Sequence, residues 1–306
     1  MSKVIRIGTR ESQLALWQAN TVKQQLEALG HATELVLIKS EGDVDLTTPL
    51  YELGVQGIFT KALDIALLDE RIDIAVHSMK DVPTQPAKGI VGAAVLKRAS
   101  HRDILVPKDG FDPERAQDHQ VVIATSSIRR QAQWLNRFPN HSITSLRGNV
   151  NTRLQKLNSE NWDGAIFAAA GLERIGLRPE NAIELNWMLP APAQGAIIVV
   201  CREYDEYCRK ACAALDDEAT AICTKIERDF LRELMGGCST PISALAEVKK
   251  GMLVFKGSIL SKDGKDKAEI EKEVSLSGIE GVGIRAAQEI MEAGGNEILA
   301  KMRNEQ

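Results

Sequence analysis

A short stretch of the sequence, residues 75–83, brings together three side chains that can do chemistry. Ser78, Lys80 and Asp81 offer a hydroxyl, an ammonium group and a carboxylate within four residues. An apolar run of strand length precedes them, and Pro83 opposes its continuation as a regular helix or central strand. The chain should therefore turn here, at the kind of strand end where α/β sheets usually bind ligands. Such a turn could bind an anion and move a proton; the alternative is a solvated turn with a local ion pair.

A second group of candidate residues consists of arginines and hydroxyls that follow predicted strands. Residues 125–130 place three hydroxyls and two guanidinium groups at a predicted helix N-terminus, where free N–H groups and the helix dipole favour an anion. Arg10, Arg147 and Arg153 follow other strands and should reach the same sheet edges. Guanidinium groups bind carboxylates and phosphates, and no phosphate-binding glycine motif is present, so a small polycarboxylate is the favoured ligand. The alternative is that each arginine is a separate surface residue.

Alternating strands and helices are predicted to position these residues. In the first hundred residues, the apolar pattern predicts strands at 4–8, 34–38 and 72–76 and helices at 13–29 and 60–70. The same alternation then repeats, with strands predicted at 104–106, 120–124, 142–146 and 164–169. We interpret the pattern as two α/β units, each built on a parallel sheet.

The segment after the second unit predicts how the two units are joined. Pro190 and Pro192 favour an extended chain, and the apolar run at 196–201 is predicted to be a strand that returns to the first sheet. Two crossing segments, 97–103 and 189–194, would then connect the units. This is the arrangement of a clamshell of two periplasmic-binding-protein-like (type II) domains, with the ligand in the cleft.

A third unit, predicted to be a small α+β domain, follows. Its first helix is expected to end at Gly236 and Gly237, with Cys238 directly after them. Three antiparallel strands and a last helix are predicted at 242–248, 252–260, 267–276 and 283–302. The glycines leave Cys238 uncovered on a loop, so it is either a covalent attachment point or a tolerated loop cysteine. The predicted domains are residues 1–98 with 195–216, residues 99–194, and residues 217–306.

Composition limits the function classes. The chain has 306 residues, 44% of them hydrophobic, and a net charge of −4, which argues against a general nucleic-acid binder. Five cysteines without an export signal favour reduced thiols. Cys201, Cys208, Cys212 and Cys223 lack zinc-ligand spacing and are predicted to be packing residues, so no metal is expected. No signal-peptide core or membrane-length apolar segment is present, so we expect a cytoplasmic protein that binds no membrane.

Six motifs in register resemble the porphobilinogen deaminase family, also called hydroxymethylbilane synthases. The resemblance runs from about residue 4 to residue 248 and weakens in the C-terminal sheet. The motifs are Gly8-Thr9-Arg10-Glu11-Ser12, Val76-His77-Ser78-Met79-Lys80-Asp81-Val82-Pro83, Thr125-Ser126-Ser127-Ile128-Arg129-Arg130-Gln131, Leu146-Arg147-Gly148-Asn149-Val150 through Arg153, Pro190 to Gln194-Gly195-Ala196, and Gly236-Gly237-Cys238 through Pro241.

The resemblance implies a transferase of tetrapyrrole biosynthesis. The family condenses four porphobilinogen molecules head to tail, releases ammonia and hydrolyses off the linear hydroxymethylbilane. It is primed by a dipyrromethane cofactor, which the resemblance places in thioether linkage to Cys238. The implied partners are porphobilinogen and the growing pyrrole chain, and the implied oligomeric state is a monomer.

The resemblance also assigns roles to residues. Asp81 would steer protonation and deamination of the aminomethyl group and stabilise positive charge on the pyrrole intermediate. The cofactor would be held by Ser78, Lys80, Asp81, Thr125, Ser126, Ser127, Arg129 and Arg130, in addition to Cys238. Substrate would be bound by Arg10, Ser12, Arg147, Gly148, Arg153 and Gln194, with Phe59 as a lid residue.

The sequence departs from the family pattern at several positions. These are Glu52 and Gln56, where many members carry lysines, Ala62 in place of a glutamate, Asn151 in place of a glycine, and Pro192-Ala193 in place of Val-Gly. The differences concern the predicted lid loop, residues 51–59, and secondary carboxylate contacts, not Asp81 or Cys238.

The rival interpretation is a non-catalytic binding protein, because clamshell α/β domains also serve as solute receptors and effector-sensing modules. The lack of an export signal and of a helix-turn-helix region weakens both versions of that interpretation. The intact mass of the denatured protein separates the two classes, since only the enzyme carries two linked pyrrole units.

Overall fold

The computed structural model describes residues 3–39, 60–108, 110–115, 120–234 and 240–304. The strands are, in chain order, β1 (Ile5–Thr9), β2 (Thr33–Leu37), β3 (Ile74–Ser78), β4 (Ile90–Val95), β5 (Asp103–Pro107), β6 (Val122–Ala124), β7 (Ser142–Thr144), β8 (Gly164–Ala168), β9 (Ile183–Glu184), β10 (Ile197–Arg202), β11 (Ile242–Lys249), β12 (Met252–Leu260) and β13 (Lys267–Ser275). The helices are α1 (Gln13–Ala28), α2 (Lys61–Leu68), α3 (Ile128–Arg137), α4 (Val150–Ser159), α5 (Ala169–Arg174), α6 (Glu206–Ala213), α7 (Glu218–Glu233), α8 (Val282–Ile290) and α9 (Asn296–Asn304).

The first sheet has the order β2-β1-β3-β10-β4. β1 pairs in parallel with β2 and β3, whereas β10 runs antiparallel to both β3 and β4. The predicted return of the late apolar strand to this sheet is therefore confirmed. The expectation of a purely parallel sheet is wrong, because β10 enters from the second unit and runs in the opposite direction.

Helix α1 illustrates why these residues form these elements. Its predicted apolar stripe is buried, with Ala19, Val22 and Leu26 packed in the same core as Ile5 and Ile7 of β1. Full burial of each large apolar side chain stabilises the fold by about 1.5–3 kcal/mol. The helix therefore fixes the position of the β1 end, where the candidate residues begin.

The second sheet repeats the first. Its order is β7-β6-β8-β5-β9, with β6 parallel to β7 and β8, and β5 antiparallel to β8 and β9. In each sheet the antiparallel strand, β5 or β10, directly follows a crossing segment from the other unit. This exchange confirms the predicted type II clamshell, and it brings the ends of β1 and β3 opposite those of β6 and β8.

The third unit contains the predicted antiparallel sheet, in the order β11-β12-β13. Helices α7 and α8 pack on it around Phe230 and Phe255, whose rings meet edge-on at 5.2 Å. The single helix predicted at 283–302 is wrong: α8 and α9 are separated by a π-helical segment, Met291–Gly295. Gly294 has a φ of 106° there, in the left-handed region that breaks a regular helix.

Cys201, Cys208, Cys212 and Cys223 are buried, as predicted for packing residues. Burial raises the pKa of each of these thiols well above its ordinary value. Among the described residues, no helix combines the length and the apolar character needed to cross a bilayer.

Candidate functional site

A cavity of about 770 Å³ lies in the cleft between the two α/β sheets. All predicted site residues in the described part of the chain line it: Arg10, Ser12, Ser78, Lys80, Asp81, Thr125, Ser126, Ser127, Arg129, Arg130, Arg147, Gly148, Arg153 and Gln194. The remaining two predicted site residues, Phe59 and Cys238, lie outside the described residues. The volume falls in the range of small-molecule sites.

The turn after β3 presents Asp81 to the cleft. β3 ends at Ser78, and a 3₁₀ turn follows over Met79–Asp81. Met79 is buried, and its N–H donates to the Ala196 carbonyl at 3.0 Å, which fixes the root of the turn. The Asp81 side chain is exposed, and within the described residues no hydrogen bond or ion pair engages its carboxylate. The carboxylate is therefore available to a ligand.

Lys80 points to a different partner. Its Nζ donates to Oε1 of Gln194 at 3.2 Å, and it forms no ion pair with Asp81 among the described residues. Burial and the nearby Arg130 together lower the pKa of Lys80 to about 8, with Asp81 and Asp103 opposing the shift. The local Lys80–Asp81 ion pair of the alternative interpretation is thus not what this turn contains.

His77 of the same motif does not line the cavity. The imidazole is buried, and burial together with the Arg10 charge lowers its pKa to about 3. His77 is neutral at neutral pH, which leaves Asp81 and Lys80 as the titratable groups of this motif that face the cleft.

Asp103 organises the arginines at the start of α3, and the sequence did not identify it. Its carboxylate is fully buried and receives Nη2 of Arg129 at 2.7 Å and Nη2 of Arg130 at 2.7 Å. The Nε2 of Gln194 donates to the same carboxylate at 3.0 Å. Burial alone would raise the pKa of Asp103, but the two guanidinium groups and Lys80 hold it at about 2. The carboxylate stays ionised and fixes the direction of both arginines.

The hydroxyls at 125–127 are already engaged with backbone. Ser127 caps α3, with Oγ accepting from the Arg130 N–H at 3.4 Å. Thr125 Oγ1 accepts from the Ser127 N–H at 3.2 Å, and Ser126 Oγ accepts from the Leu146 N–H at 2.8 Å. The first interaction is the usual helix N-cap. The hydroxyls that were predicted to bind an anion therefore accept backbone hydrogen bonds that stabilise the conformation of the loop.

Arg147 and Arg153 extend the basic wall. Arg147 is buried, and the Nε of Arg153 donates to the Gly148 carbonyl at 2.8 Å. Gly148 has a φ of 109°, and a Cβ there would collide with Thr152, so the turn requires glycine. Burial lowers the pKa of Arg153 to about 10, with Arg130 contributing. Arg153 therefore remains cationic at neutral pH.

The opposite wall comes from β1 and α1. Ser12 caps α1 through the Ala15 N–H at 3.4 Å, and Arg10 lines the cavity beside it. Gln18, which the sequence analysis did not select, donates from Nε2 to Ser78 Oγ at 2.8 Å. Gln18 lies within α1 and not directly after a strand, so the strand-end rule does not select it, and its contact with Ser78 is seen only in the folded chain.

Arg174 also lines the cavity and was not predicted from the sequence. It stands at the end of α5, its Nη2 donates to the Gly195 carbonyl at 2.7 Å, and its guanidinium lies 5.6 Å from the centre of the Trp17 ring. Its buried Nε has no hydrogen-bond partner among the residues that the structure describes. Burial lowers its pKa to about 10. Arg174 lies six residues beyond β8, too far along the chain for the strand-end rule to select it.

The third unit also contributes to the cavity. Leu231 of α7, Thr240 and Ile242 line it, so all three units meet at the site. The site as a whole presents the Asp81 carboxylate, without an ion-pair partner among the described residues, beside several lining cations, a combination that suits a ligand carrying both carboxylates and an amine.

Comparisons with known proteins agree on one family. The model of "Porphobilinogen deaminase, dipyromethane cofactor binding domain" matches residues 5–210. The model of "Porphobilinogen deaminase, C-terminal domain" matches residues 221–292. A porphobilinogen deaminase from Syntrophotalea carbinolica is 42% identical over 309 residues, covering 98% of this chain and 96% of the relative.

Solved structures of solute-binding proteins also resemble the chain at low identity. A periplasmic substrate-binding protein of an ABC transporter from Coxiella burnetii is 15% identical, covers 71% of this chain and 94% of its own, and has a TM-score of 0.44. An amino acid ABC transporter substrate-binding protein from Streptococcus pneumoniae, bound to L-arginine, is 14% identical, with coverages of 69% and 86% and a TM-score of 0.39.

Proposed function

Because the chain belongs to the porphobilinogen deaminase family, we propose that the cleft described above is its active site and that Asp81 and Cys238 carry the chemistry. The protein is a hydroxymethylbilane synthase, which condenses four porphobilinogen molecules with loss of ammonia and uses a dipyrromethane cofactor. The observation that supports the site assignment best is the Asp81 carboxylate, which has no ion-pair partner in the described ranges and lies in a cleft lined by arginines.

The cleft suits the cofactor in size and chemistry. Its volume of about 770 Å³ accommodates linked pyrrole rings, and its arginines match their carboxylate side chains. The buried Nε atoms of Arg129 and Arg174 have no hydrogen-bond partner in the described part of the chain, and each can donate to a bound carboxylate. When bound, the dipyrromethane supplies the pyrrole carbon to which the next unit is joined. The residues proposed to hold it are Ser78, Lys80, Asp81, Thr125, Ser126, Ser127, Arg129 and Arg130.

Asp81 is proposed to act on the aminomethyl group of porphobilinogen. An anion at this point attracts the protonated amine and stabilises the positive charge that develops on the substrate as ammonia leaves. The turn over Met79–Asp81 sets the direction of the carboxylate, and the absence of a counter-ion among the described residues leaves its full charge for the substrate. This is the principal electrostatic contribution that the chain makes to the bond-breaking step.

The arginines are proposed to orient the substrate and the growing chain. Asp103 neutralises one of the two charges of Arg129 and Arg130, so the pair retains one net positive charge without mutual repulsion. Arg10, Ser12, Arg147, Gly148, Arg153 and Gln194 form the proposed substrate-binding set, with Phe59 as the lid. Fixed guanidinium groups favour orientation because little side-chain entropy remains to be lost on binding.

Cys238 is proposed as the attachment point of the cofactor through a thioether. It stands two residues before Thr240 in the sequence, and Thr240 lines the cleft. The four described cysteines are buried with raised pKa values, which makes them poor nucleophiles. Both observations support Cys238 over the other thiols.

We further propose that the enzyme is a cytoplasmic monomer composed of domains 1–98 with 195–216, 99–194 and 217–306. The sheet topology supports these boundaries, since β10 belongs to the first sheet and β5 to β9 belong to the second. Light scattering coupled to size-exclusion chromatography tests the monomer directly, and a mass near 67 kDa in place of 33.5 kDa would contradict it.

Incubation of the purified protein with porphobilinogen tests the activity. We expect ammonia release and formation of a linear tetrapyrrole in a ratio of about four to one, since each joined unit loses one amine. Saturable binding of porphobilinogen without ammonia release would instead identify a binding protein.

A further inference from the structure

Helix α7 of the third unit reaches the turn that carries Asp81. The guanidinium of Arg228 donates from Nη1 to the carbonyls of Met79, at 3.2 Å, and Val82, at 2.8 Å. Its Nη2 donates to the Pro83 carbonyl at 2.6 Å. These three carbonyls lie on both sides of Lys80 and Asp81 in the chain. One planar group thus holds the backbone before and after the carboxylate without touching the carboxylate itself.

Arg228 lies outside the cleft. It does not line the cavity, and the neighbouring acid on its helix, Asp229, pairs with Lys225 and Arg232 instead. Burial lowers the pKa of Arg228, but the group is an arginine and remains charged at neutral pH. Its hydrogen-bonding capacity is therefore directed at the turn.

Glu227, the residue before Arg228, holds α7 against the segments that join the two α/β units. Glu227 is fully buried, pairs with Arg98 at 2.6 Å and accepts the N–H groups of Ala193, at 2.6 Å, and Ala246, at 2.8 Å. Arg98 and Ala193 belong to the two crossing segments between the α/β units. Consecutive residues of α7 therefore tie the third unit to both the crossing segments and the turn.

We propose that Arg228 is a positioning residue for deamination. Because its guanidinium donates hydrogen bonds to three backbone carbonyls around the turn, it sets the direction of the Asp81 carboxylate relative to the third unit. Because α7 ends at Glu233, five residues before Cys238 in the sequence, the same helix connects the turn with the chain that leads to the proposed attachment point. The inference rests on the proposed role of Asp81.

Substitution Arg228→Gln tests it, with Arg228→Lys as the conservative variant. We expect Arg228→Gln to lower kcat about ten- to hundredfold, the cost of a displacement near 1 Å, with KM changed less than about twofold. Lys keeps the charge but lacks the planar fork, so Arg228→Lys should fall between Gln and wild type. If the Gln variant does not fold, the kcat and KM of the Lys variant provide the same readout. The control is Arg232→Gln on the same helix, which loses a part-buried pair with Asp229, away from the turn, and should keep wild-type kcat.

A double-mutant cycle separates positioning from a general structural role. In an Asp81→Glu background, where the carboxylate is already displaced, Arg228→Gln should slow single-turnover ammonia release less than about threefold. An equal slowing in both backgrounds, or wild-type kcat in Arg228→Gln and Arg228→Lys, would overturn the inference. Normal ammonia release by Asp81→Asn would instead overturn the proposed role of Asp81, so the two failures are distinguishable.

Discussion

The two walls of the cleft are built on the same topology but restrain their charged groups in opposite ways. On the β3 side, the backbone of the turn is held and the Asp81 carboxylate is left without a partner among the described residues. On the β6 side, the Arg129 and Arg130 side chains themselves are held by the buried Asp103. A group that must respond to changing charge is left free, whereas groups that must orient a ligand are fixed in advance.

The largest effect is expected from Asp81. Asp81→Asn keeps the shape but removes the charge and the proton, so single-turnover ammonia release should fall about 10³-fold with little change in thermal midpoint. Asp81→Glu keeps both and displaces them by about 1 Å, which should cost on the order of a hundredfold. If Asp81 were only a solvated turn residue, both variants would turn over normally, and rapid-quench measurement of ammonia decides between the two.

The buried partner on the other wall should matter more for folding. Asp103→Asn leaves two buried guanidinium groups without their counter-ion and should lower the free energy of unfolding by about 3–5 kcal/mol in urea titrations. Because the folded pKa of Asp103 lies below its ordinary value, this stabilisation is present at neutral pH and is lost as the pH falls towards about 2.

A matched control is Glu114→Gln, which breaks an exposed pair with Arg137 and should cost about 0–1 kcal/mol. Equal unfolding energies for Asp103→Asn and Glu114→Gln would show that the arginines need no buried counter-ion, and the contrast between the walls would be lost.

Lys80 should make carboxylate binding in the cleft depend on pH. Its pKa of about 8 means that the ammonium is lost as the pH rises through that value, and binding of carboxylates should weaken by up to about tenfold per pH unit above it. Arg stays protonated, so Lys80→Arg should extend the alkaline limb of kcat/KM to higher pH. Superimposable pH profiles for the two proteins would exclude Lys80 as the titrating group.

The smallest effect is expected at the rim of the cleft. Asn151 donates from Nδ2 to Gln13 Oε1 at 3.0 Å and joins the two walls. Because this hydrogen bond is exposed, Gln13→Ala should change the unfolding free energy by about 0.5–1.5 kcal/mol at most and KM less than about twofold. A tenfold change in KM would show that this contact controls cleft opening.

Sequence reasoning located most of the cleft because strand ends leave a local signal. The apolar runs before Arg10, Asp81 and Thr125 predicted where each sheet edge lies, and the structure brings these residues together. The edge strands β4 and β9 were not predicted, because no helix follows either of them before the next strand and the strand–helix alternation is interrupted there. The break at Gly294 was also missed, because the apolar spacing continues across it.

The residues that position the site were invisible for a different reason. Asp103 and Arg130 are 27 residues apart, and Arg228 and Val82 are 146 apart, so their pairing depends on the folded chain. A buried aspartate or a helix arginine looks like any other in the sequence until its partner is known. Side chains that act through backbone or through other side chains therefore require the structure.

The central claim is that this chain builds a pyrrole chain on its own cysteine, and intact-mass measurement of the denatured protein tests it most directly. The wild-type mass should exceed the sequence mass by two linked pyrrole units, while Cys238→Ser should match its sequence mass and release no ammonia, because an alcohol is a far poorer nucleophile than a thiol. An unchanged adduct in Cys238→Ser, or turnover by a wild-type protein that carries none, would contradict the account.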